Sequence, residues 1–350
     1  MTSLRTTFTR LLVFSGLLSF AIALPTTLQA ASDDIDREFD VSAGGTLVIN
    51  SDAGHIDVNT WNQNSVRIRI SSTNGFDVEV NQVGNDVRVL AEAPRRSLFG
   101  NRRSNIRFQA DVPVNYNVQL DTGGGHIEVA DITGNVDVDT SGGHIEIGAV
   151  SQGNVRADTS GGHITIDSVD GNVEADTSGG RITIGDVTGD ASADTSGGSI
   201  VLGNVGGDMV ADTSGGNIEI NGGHGSVTAD TSGGNITIRG TLGPVDADTS
   251  GGRIDVDLSA VSGSIGGDVR LETAGGDVTV RIPGNLPATI TAELEISRRA
   301  RGDYRIYTDF PLSISEDDDL IVGRGDINGG GDRILIETRN SDIHIIRVAN

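Results

Sequence analysis

The sequence predicts an all-β chain wound as a β-solenoid, a right-handed β-helix with coils of 18 residues and irregular β caps. Three observations predict it. The string Asp-Thr-Ser-Gly-Gly begins at Asp139, Asp158, Asp176, Asp194, Asp212, Asp230 and Asp248, at a step of 19 residues once and 18 thereafter. Self-similarity at a fixed short period is the mark of a stacked repeat. Within each unit, apolar and polar residues alternate in two short runs, Val173-Glu174-Ala175-Asp176-Thr177 and Arg181-Ile182-Thr183-Ile184 in one copy. Period two means a strand with one buried face. Gly-Gly and Gly-Asn pairs punctuate the runs at corners expected to tolerate positive φ, and no i, i+3, i+4 stripe offers a helix instead.

Other stacked folds fit less well. A left-handed hexapeptide helix needs an apolar residue every six positions, and six beyond Ile164 stands Asp170. The Gly-Gly-x-Gly-x-Asp pattern of a calcium-binding nonapeptide roll is absent, and a sandwich does not call for near-identical copies. One coil buries about five small apolar side chains, too few to offset the entropy of ordering it. Stability must therefore come from neighbouring coils, about 4.8 Å apart, sharing one core.

Composition agrees once the repeat is seen. The chain has 350 residues, 50 of them Gly, with 3% aromatics and a formal net charge of -24. Without the repeat this would suggest disorder. With it, Gly marks corners and a thin core wants Ile, Val and Ala rather than rings. The negative charge argues against nucleic-acid partners. The absence of Cys removes disulfides, thiolate metal sites, Cys nucleophiles and a lipidated N-terminal Cys.

Along the chain, residues 1–31 read as an export signal. Arg5 and Arg10 precede an apolar run from Leu11 to Leu24, and Leu28-Gln29-Ala30-Ala31 offers small residues for cleavage. The run is short for a membrane span, and no stable membrane insertion is expected after cleavage. The mature chain is expected in the periplasm, on the cell surface or secreted. Residues 32–120 form an N-terminal irregular β cap with first coils, with strand-like runs at Thr46 to Ile49, Val66 to Ile70, Phe76 to Val80, Val87 to Leu90 and Ile106 to Val112. Residues 121–284 carry the regular repeats. Residues 285–350 hold C-terminal coils and a cap, where Tyr304, Tyr307, Phe310 and Pro311 are expected to close the open end. Fainter copies of the repeat lie at Asn50 to Ile56 and Glu337 to Ile343, and one step of 24 residues separates Asp248 from Glu272.

Several features together carry a resemblance: the leader, the strand ending in Val112-Pro113, the string Asp121-Thr122-Gly123-Gly124-Gly125-His126-Ile127, the repeats, and Ile327-Asn328-Gly329-Gly330-Gly331 before Ile343-His344-Ile345. Over roughly residues 40–348 the chain resembles the bacterial β-strand-repeat proteins called "putative adhesins". The resemblance implies an envelope or extracellular β-solenoid with no known catalytic residues.

Four features are candidates for function. The column Asp139, Asp158, Asp176, Asp194, Asp212, Asp230 and Asp248 would stack outward, where adjacent unit charges repel by roughly 0.9 kcal/mol in water. It either gathers cations, with weakly held Ca²⁺ as the expected ion and no other cofactor, or consists of Asx turns in which each carboxylate accepts from its own corner. The Thr residues that follow would bond along the stack; an exposed Thr column also suggests ice binding, although an Asp beside every Thr opposes it. His126, His144 and His163 share one register and include metal-ligand chemistry, but Arg181, Ser199, Asn217, Asn235 and Arg253 at the same position suggest a permissive exposed corner. Basic residues cluster at Arg95, Arg96, Arg102 and Arg103, either to dock an anionic polymer or as a solvated loop. Arg301-Gly302-Asp303 and Arg324-Gly325-Asp326 spell an integrin-binding tripeptide, which a chain rich in these residues also produces by chance.

The function expected is that of an exported, non-enzymatic adhesin or envelope scaffold, contacting a surface glycan or protein at many points. The alternatives are a carbohydrate-active β-helix enzyme and a cation-binding envelope protein. Near-identical carboxylates suit a lattice better than a catalytic pair, which needs two different environments.

Overall fold

Alternation along the sequence becomes two parallel ladders in space. The computed structural model describes residues 34–93, 106–298, 300 and 302–349. The leader, the Arg95–Arg103 segment and Arg301 lie outside these residues. The described residues form a 17-stranded and a 16-stranded sheet and contain no helix. Each regular coil contributes to both sheets, as Val173–Thr177 and Ile182–Val187 do, the second contribution being split in two at Ile127–Val129 with Ile132–Thr133 and at Ile145–Ile147 with Val150–Ser151. The first kind builds an Asp-Thr sheet and the second an Ile sheet.

Registration is strict. Val173 pairs with Val155 and Ala191, and Ile182 with Ile164 and Ile200, so each side chain lies over its counterpart one coil away. The inward columns fill the core: in this coil Val173, Ala175, Ile182, Ile184 and Val187 are all buried. A size exchange occurs at Met209, which stands where neighbouring coils carry Ala191 and Val227. Its extra length takes the space above Gly223, where a Cβ would fall 2.0 Å from the Met methyl carbon.

Chain order and spatial order part company at both ends. Strands Thr46–Ser51 and His55–Trp61 are flanked on one side by Asp86–Glu92 and Arg107–Pro113, and on the other by Asn117–Thr122 and Ile127–Val129. The first coil in sequence is thus second in the stack. The C-terminal end mirrors this. Asp332–Arg339 and Ile343–Val348 slot between Val269–Thr273 with Val278–Pro283 and Ala288–Glu295 with Ile306–Thr308. The faint copies near the chain ends are therefore genuine coils.

Antiparallel strands finish the stack. Ile35–Asp40, a strand the sequence pattern does not reveal, pairs with Ser65–Ser71, and Asp77–Val83 hairpins with Asp86–Glu92. Tyr116 is wholly buried near this end, and its hydroxyl donates to the Asn85 carbonyl. Burial, with the nearby Asp86 charge, pushes its phenol up to about 12. At the other end Leu320–Ile327 pairs antiparallel with Ala288–Glu295 and with Ser313–Glu316. Phe310 is buried there, and Tyr304, Ile306 and Leu312 pack partly buried against the core. Tyr307 and Pro311 do not serve as plugs: both are exposed, because Tyr307 is on the outer face of its strand, stacked on His344. The 24-residue step contains an inserted loop whose Leu258, Val261 and Ile265 are buried. Asp332 pins it, accepting from Ser264 Oγ and from the N–H groups of Ile265 and Gly266 at 2.7–3.1 Å.

The Gly-Gly corners are tight for a different reason than positive φ. Neither Gly179 nor Gly180 has positive φ, whereas Gly171 does, at 155°. A Cβ on Gly180 would lie 1.7 Å from the Gly162 carbonyl oxygen, and the same approach recurs at Gly198, Gly216, Gly234 and Gly252. At Gly179 the nearest atom would be 3.9 Å away. Gly180→Ala should therefore lower stability by about 3 kcal/mol or more, since a backbone carbonyl cannot move without breaking the ladder. Gly179→Ala should be neutral or stabilising by up to about 1 kcal/mol. Thermal melts of the two variants check the contrast.

Candidate functional site

The most regular surface is the corner where each Asp-Thr strand ends. Strand alternation turns the Asp outward and the Thr inward, and in-register pairing then stacks each on its own kind. All seven predicted Asp residues lie in one column. Pairing extends it through Asp121 at one end and through Glu272, Glu337 and Glu293 at the other, eleven carboxylates in succession. Asp139, Asp158, Asp176 and Asp194, with the neighbouring Ser residues, line an open groove of about 410 Å³.

Thr, not Asp, ties the corner. Thr177 is buried; its hydroxyl donates to the Gly162 carbonyl of the preceding coil at 3.0 Å and accepts from Gly180 N–H at 3.3 Å. The donated bond repeats from Thr122 to Thr273 and at Thr338, at 2.8–3.0 Å. Among the described residues no column Asp accepts a corner N–H, so the Asx-turn expectation is corrected. The shorter Thr side chain, aimed inward, already holds that N–H, while the carboxylate points away from it. Burial likewise removes the Thr column from any ice-facing role.

The column's electrostatics follow from this geometry. Desolvation at the corner, reinforced by neighbouring carboxylates, holds Asp139, Asp176, Asp194, Asp230, Asp248 and Glu337 above their ordinary pKa values. Arg156 relieves the strain locally by pairing with Asp158 and, at 2.7 Å, with Glu174.

On the Ile-sheet side of the corner, His126, His144 and His163 do occupy one register, joined by His55 of the faint copy Asn50 to Ile56, which lies beside the His126 coil in space but 71 residues away in sequence. Their rings stack at centroid separations of 5.0, 4.8 and 4.9 Å. The register is not permissive. Each Nδ1 accepts the backbone N–H of the same position one coil on, at 2.8–3.1 Å. Further along, Ser199 Oγ, Asn217 Oδ1 and Asn235 Oδ1 do the same. An acceptor on a short stem is what the position selects. Arg181 and Arg253 receive such a bond and pass none on. The rings offer a row of separate nitrogens rather than a convergent set, and among the described residues no group of three His, Asp or Glu is arranged to hold a metal ion.

A second ladder of this kind precedes the Asp-Thr strands. Asn117, Asn135, Asn154, Asn172, Asp190 and Asp208 each accept the N–H of their successor at 2.8–2.9 Å. It ends after Ser226, where the next residue in register, Pro244, has no N–H to give. The Gly-Asn recurrence is its sequence signal, legible as more than a turn only when the neighbouring coil is present. Asp208 is held below the ordinary carboxylate range by its bonds from Ser226.

Of the remaining candidates, the Arg95–Arg103 cluster and Arg301 of the first Arg-Gly-Asp string lie outside the described residues, and the second string is part of the fold. Arg324-Gly325-Asp326 sits within a paired strand, with Arg324 bound to Glu293 at 2.9 Å and Asp326 accepting from Thr289. Among the described residues no helix is long and apolar enough to cross a membrane.

No family model and no curated protein matches the chain. Solved structures similar to it include a putative cell adhesion protein from Clostridium sporogenes, 8% identical over 90% of this chain and 100% of that one, with a TM-score of 0.19. A putative adhesin from Bacteroides fragilis is 14% identical over 90% and 97%, with a TM-score of 0.31. A putative lipid binding protein from Parabacteroides distasonis is 14% identical over 71% and 95%, with a TM-score of 0.32. At such scores the architecture rests on the chain's own ladders, not on these likenesses.

Two outcomes are expected at the corner. Thr177→Val keeps the shape but leaves the Gly162 carbonyl and the Gly180 N–H without the hydroxyl, and should cost about 1–3 kcal/mol in chemical denaturation. Asp176 has a folded pKa above its unfolded value of 3.8, so the folded chain binds its proton more tightly. Stability therefore falls as pH rises through the folded pKa. Asp176→Asn should raise Tm by about 1–2 °C at neutral pH, and the gain should vanish as the pH drops toward 3.8.

Proposed function

We propose that the chain is an exported, non-enzymatic β-solenoid, an adhesin or envelope scaffold that holds a polymeric glycan or a protein surface through many weak contacts along its faces. One observation carries this reading: outward side chains recur in register in coil after coil. A ligand group that fits one coil meets the same chemistry about 4.8 Å further on, and linked weak contacts multiply into avidity. The regular corners are short, so little loop is available over the repeats to build a walled cleft. The carboxylates of the column share similar surroundings rather than the distinct ones an acid–base pair needs. Export rests on the leader at residues 1–31.

Binding of the mature chain to envelope and host glycans, displayed at graded density, tests the proposal. Affinity should climb steeply with ligand density. Equal affinity for a single sugar unit and its polymer, or appearance of cleaved polymer, would refute it, and cytoplasmic fractionation of an uncleaved chain would remove the export reading. The raised carboxylates also favour a second reading, in which Ca²⁺ spreads along the column as a counter-ion. Adding Ca²⁺ to chelated protein should then raise Tm, and no shift removes the idea.

A further inference from the structure

Four consecutive coils use the one hydrogen-bond acceptor whose lone pair disappears near neutral pH. His55, His126, His144 and His163 each commit Nδ1 to a backbone N–H of the next coil. In the neutral ring the proton must therefore reside on Nε2, which leaves no lone pair there for a metal. A second proton can enter only at Nδ1, where it would face an N–H donor. The same register elsewhere shows that histidine is not needed for the bond. Ser199, Asn217 and Asn235 accept equivalently with groups that do not titrate, and the carboxylates of Asp277 and Asp342 accept in the same register.

The surroundings bear on the charge in both directions. Arg107 lies in register beside His55 and Arg181 caps His163, and both oppose a cation in the stack. On the same outer face, two residues along, Asp57, Glu128 and Glu146 favour one, although Asp57 is already engaged by Arg107 at 3.6 Å. Across the Gly-rich corners before His126, His144 and His163 stand Asp121, Asp139 and Asp158 of the carboxylate column, and Asp52 lies within the corner before His55. Desolvation first, then His144 and His55, holds the His126 imidazole below its ordinary pKa. A lowered histidine pKa means that the stability it contributes is present above the unfolded value of 6.5 and is lost as pH falls.

We propose that this histidine ladder is an acid-released seam: in mildly acidic medium protonation of the rings breaks the inter-coil bonds at this corner and loosens the N-terminal coils locally, while the amide acceptors Asn117, Asn135 and Asn154 of the second ladder, which do not titrate, keep the other side of the same coils closed.

Amide hydrogen exchange of the full mature chain tests it. The reporters are the N–H groups of His126, His144, His163 and Arg181, read against those of Asn135, Asn154 and Asn172 in the second ladder. Between about pH 7.5 and 5, protection at the four reporters should fall about five- to tenfold relative to the Asn ladder, in step with imidazole titration followed by ¹⁵N shifts. A variant carrying H55N, H126N, H144N and H163N keeps an acceptor in the form the protein itself uses at Asn217 and Asn235. It should show constant relative protection over the same range. Unchanged protection in the wild type while the rings titrate would overturn the proposal. So would an Nδ1–H tautomer at neutral pH, or a pH response that survives in the four-Asn variant.

Discussion

Everything in this molecule follows from one constraint: the backbone of each coil sits on the backbone of the last with no room between. The Gly180 position makes this concrete, since a single added carbon would strike the carbonyl below it. Parallel pairing without slip then forces every side chain to meet its own kind. Whether like on like is favourable depends on chemistry. Apolar columns gain by excluding water, hydroxyl and amide columns gain by passing hydrogen bonds along the stack, and carboxylates lose by mutual repulsion. The repeat thus sorts its residue types by physics: Ile, Val, Ala and Thr inward, Asn and His where a backbone N–H needs an acceptor, and Asp where solvent can dilute its charge.

Much of this is legible in the sequence, and the gaps have a common origin. Period and alternation are one-dimensional signals, so the coils, the two strands per coil and the inward Thr can be read directly from residues such as Val173 to Ile184. Partners in the next coil are not one-dimensional. The corner N–H of Gly180 has two plausible acceptors in the sequence, Asp176 and Thr177, and only the direction of each side chain chooses between them. The same holds for Asn172 and His144. Each looks like an exposed turn residue until the N–H of the following coil is placed against it. Met209 and Gly223 are an anomaly apiece in the repeat, and become one packing event only across the core.

The ends were the least readable part, because there the spatial neighbour is not the sequence neighbour. Ser51 to His55 and Thr338 to Asp342 keep the corner geometry with few of the repeat's letters. They sit between coils whose own sequences differ, so like does not have to meet like there. The central coils, each flanked by near copies, keep it. Repetition also bears on function: a lattice of equivalent corners has no unique pocket, and its chemistry is collective, as the linked shifts of the carboxylate column illustrate.

The inversion of chain order at both ends has a mechanical meaning. In a simple solenoid the terminal coil is held on one side only, so tension on the terminus peels coils off one at a time. Here the first and last coils are clasped on both sides, by four strands each. A pull on the C-terminal side is delivered into the interior of the stack, where two sets of ladder bonds share the load, whereas a pull on the N-terminal side must first part strand Ile35–Asp40 from Ser65–Ser71 before it reaches the clasped coil. The C-terminal coil is thereby fastened like a bolt rather than a zip, and the N-terminal coil becomes one once its outer strand has given way.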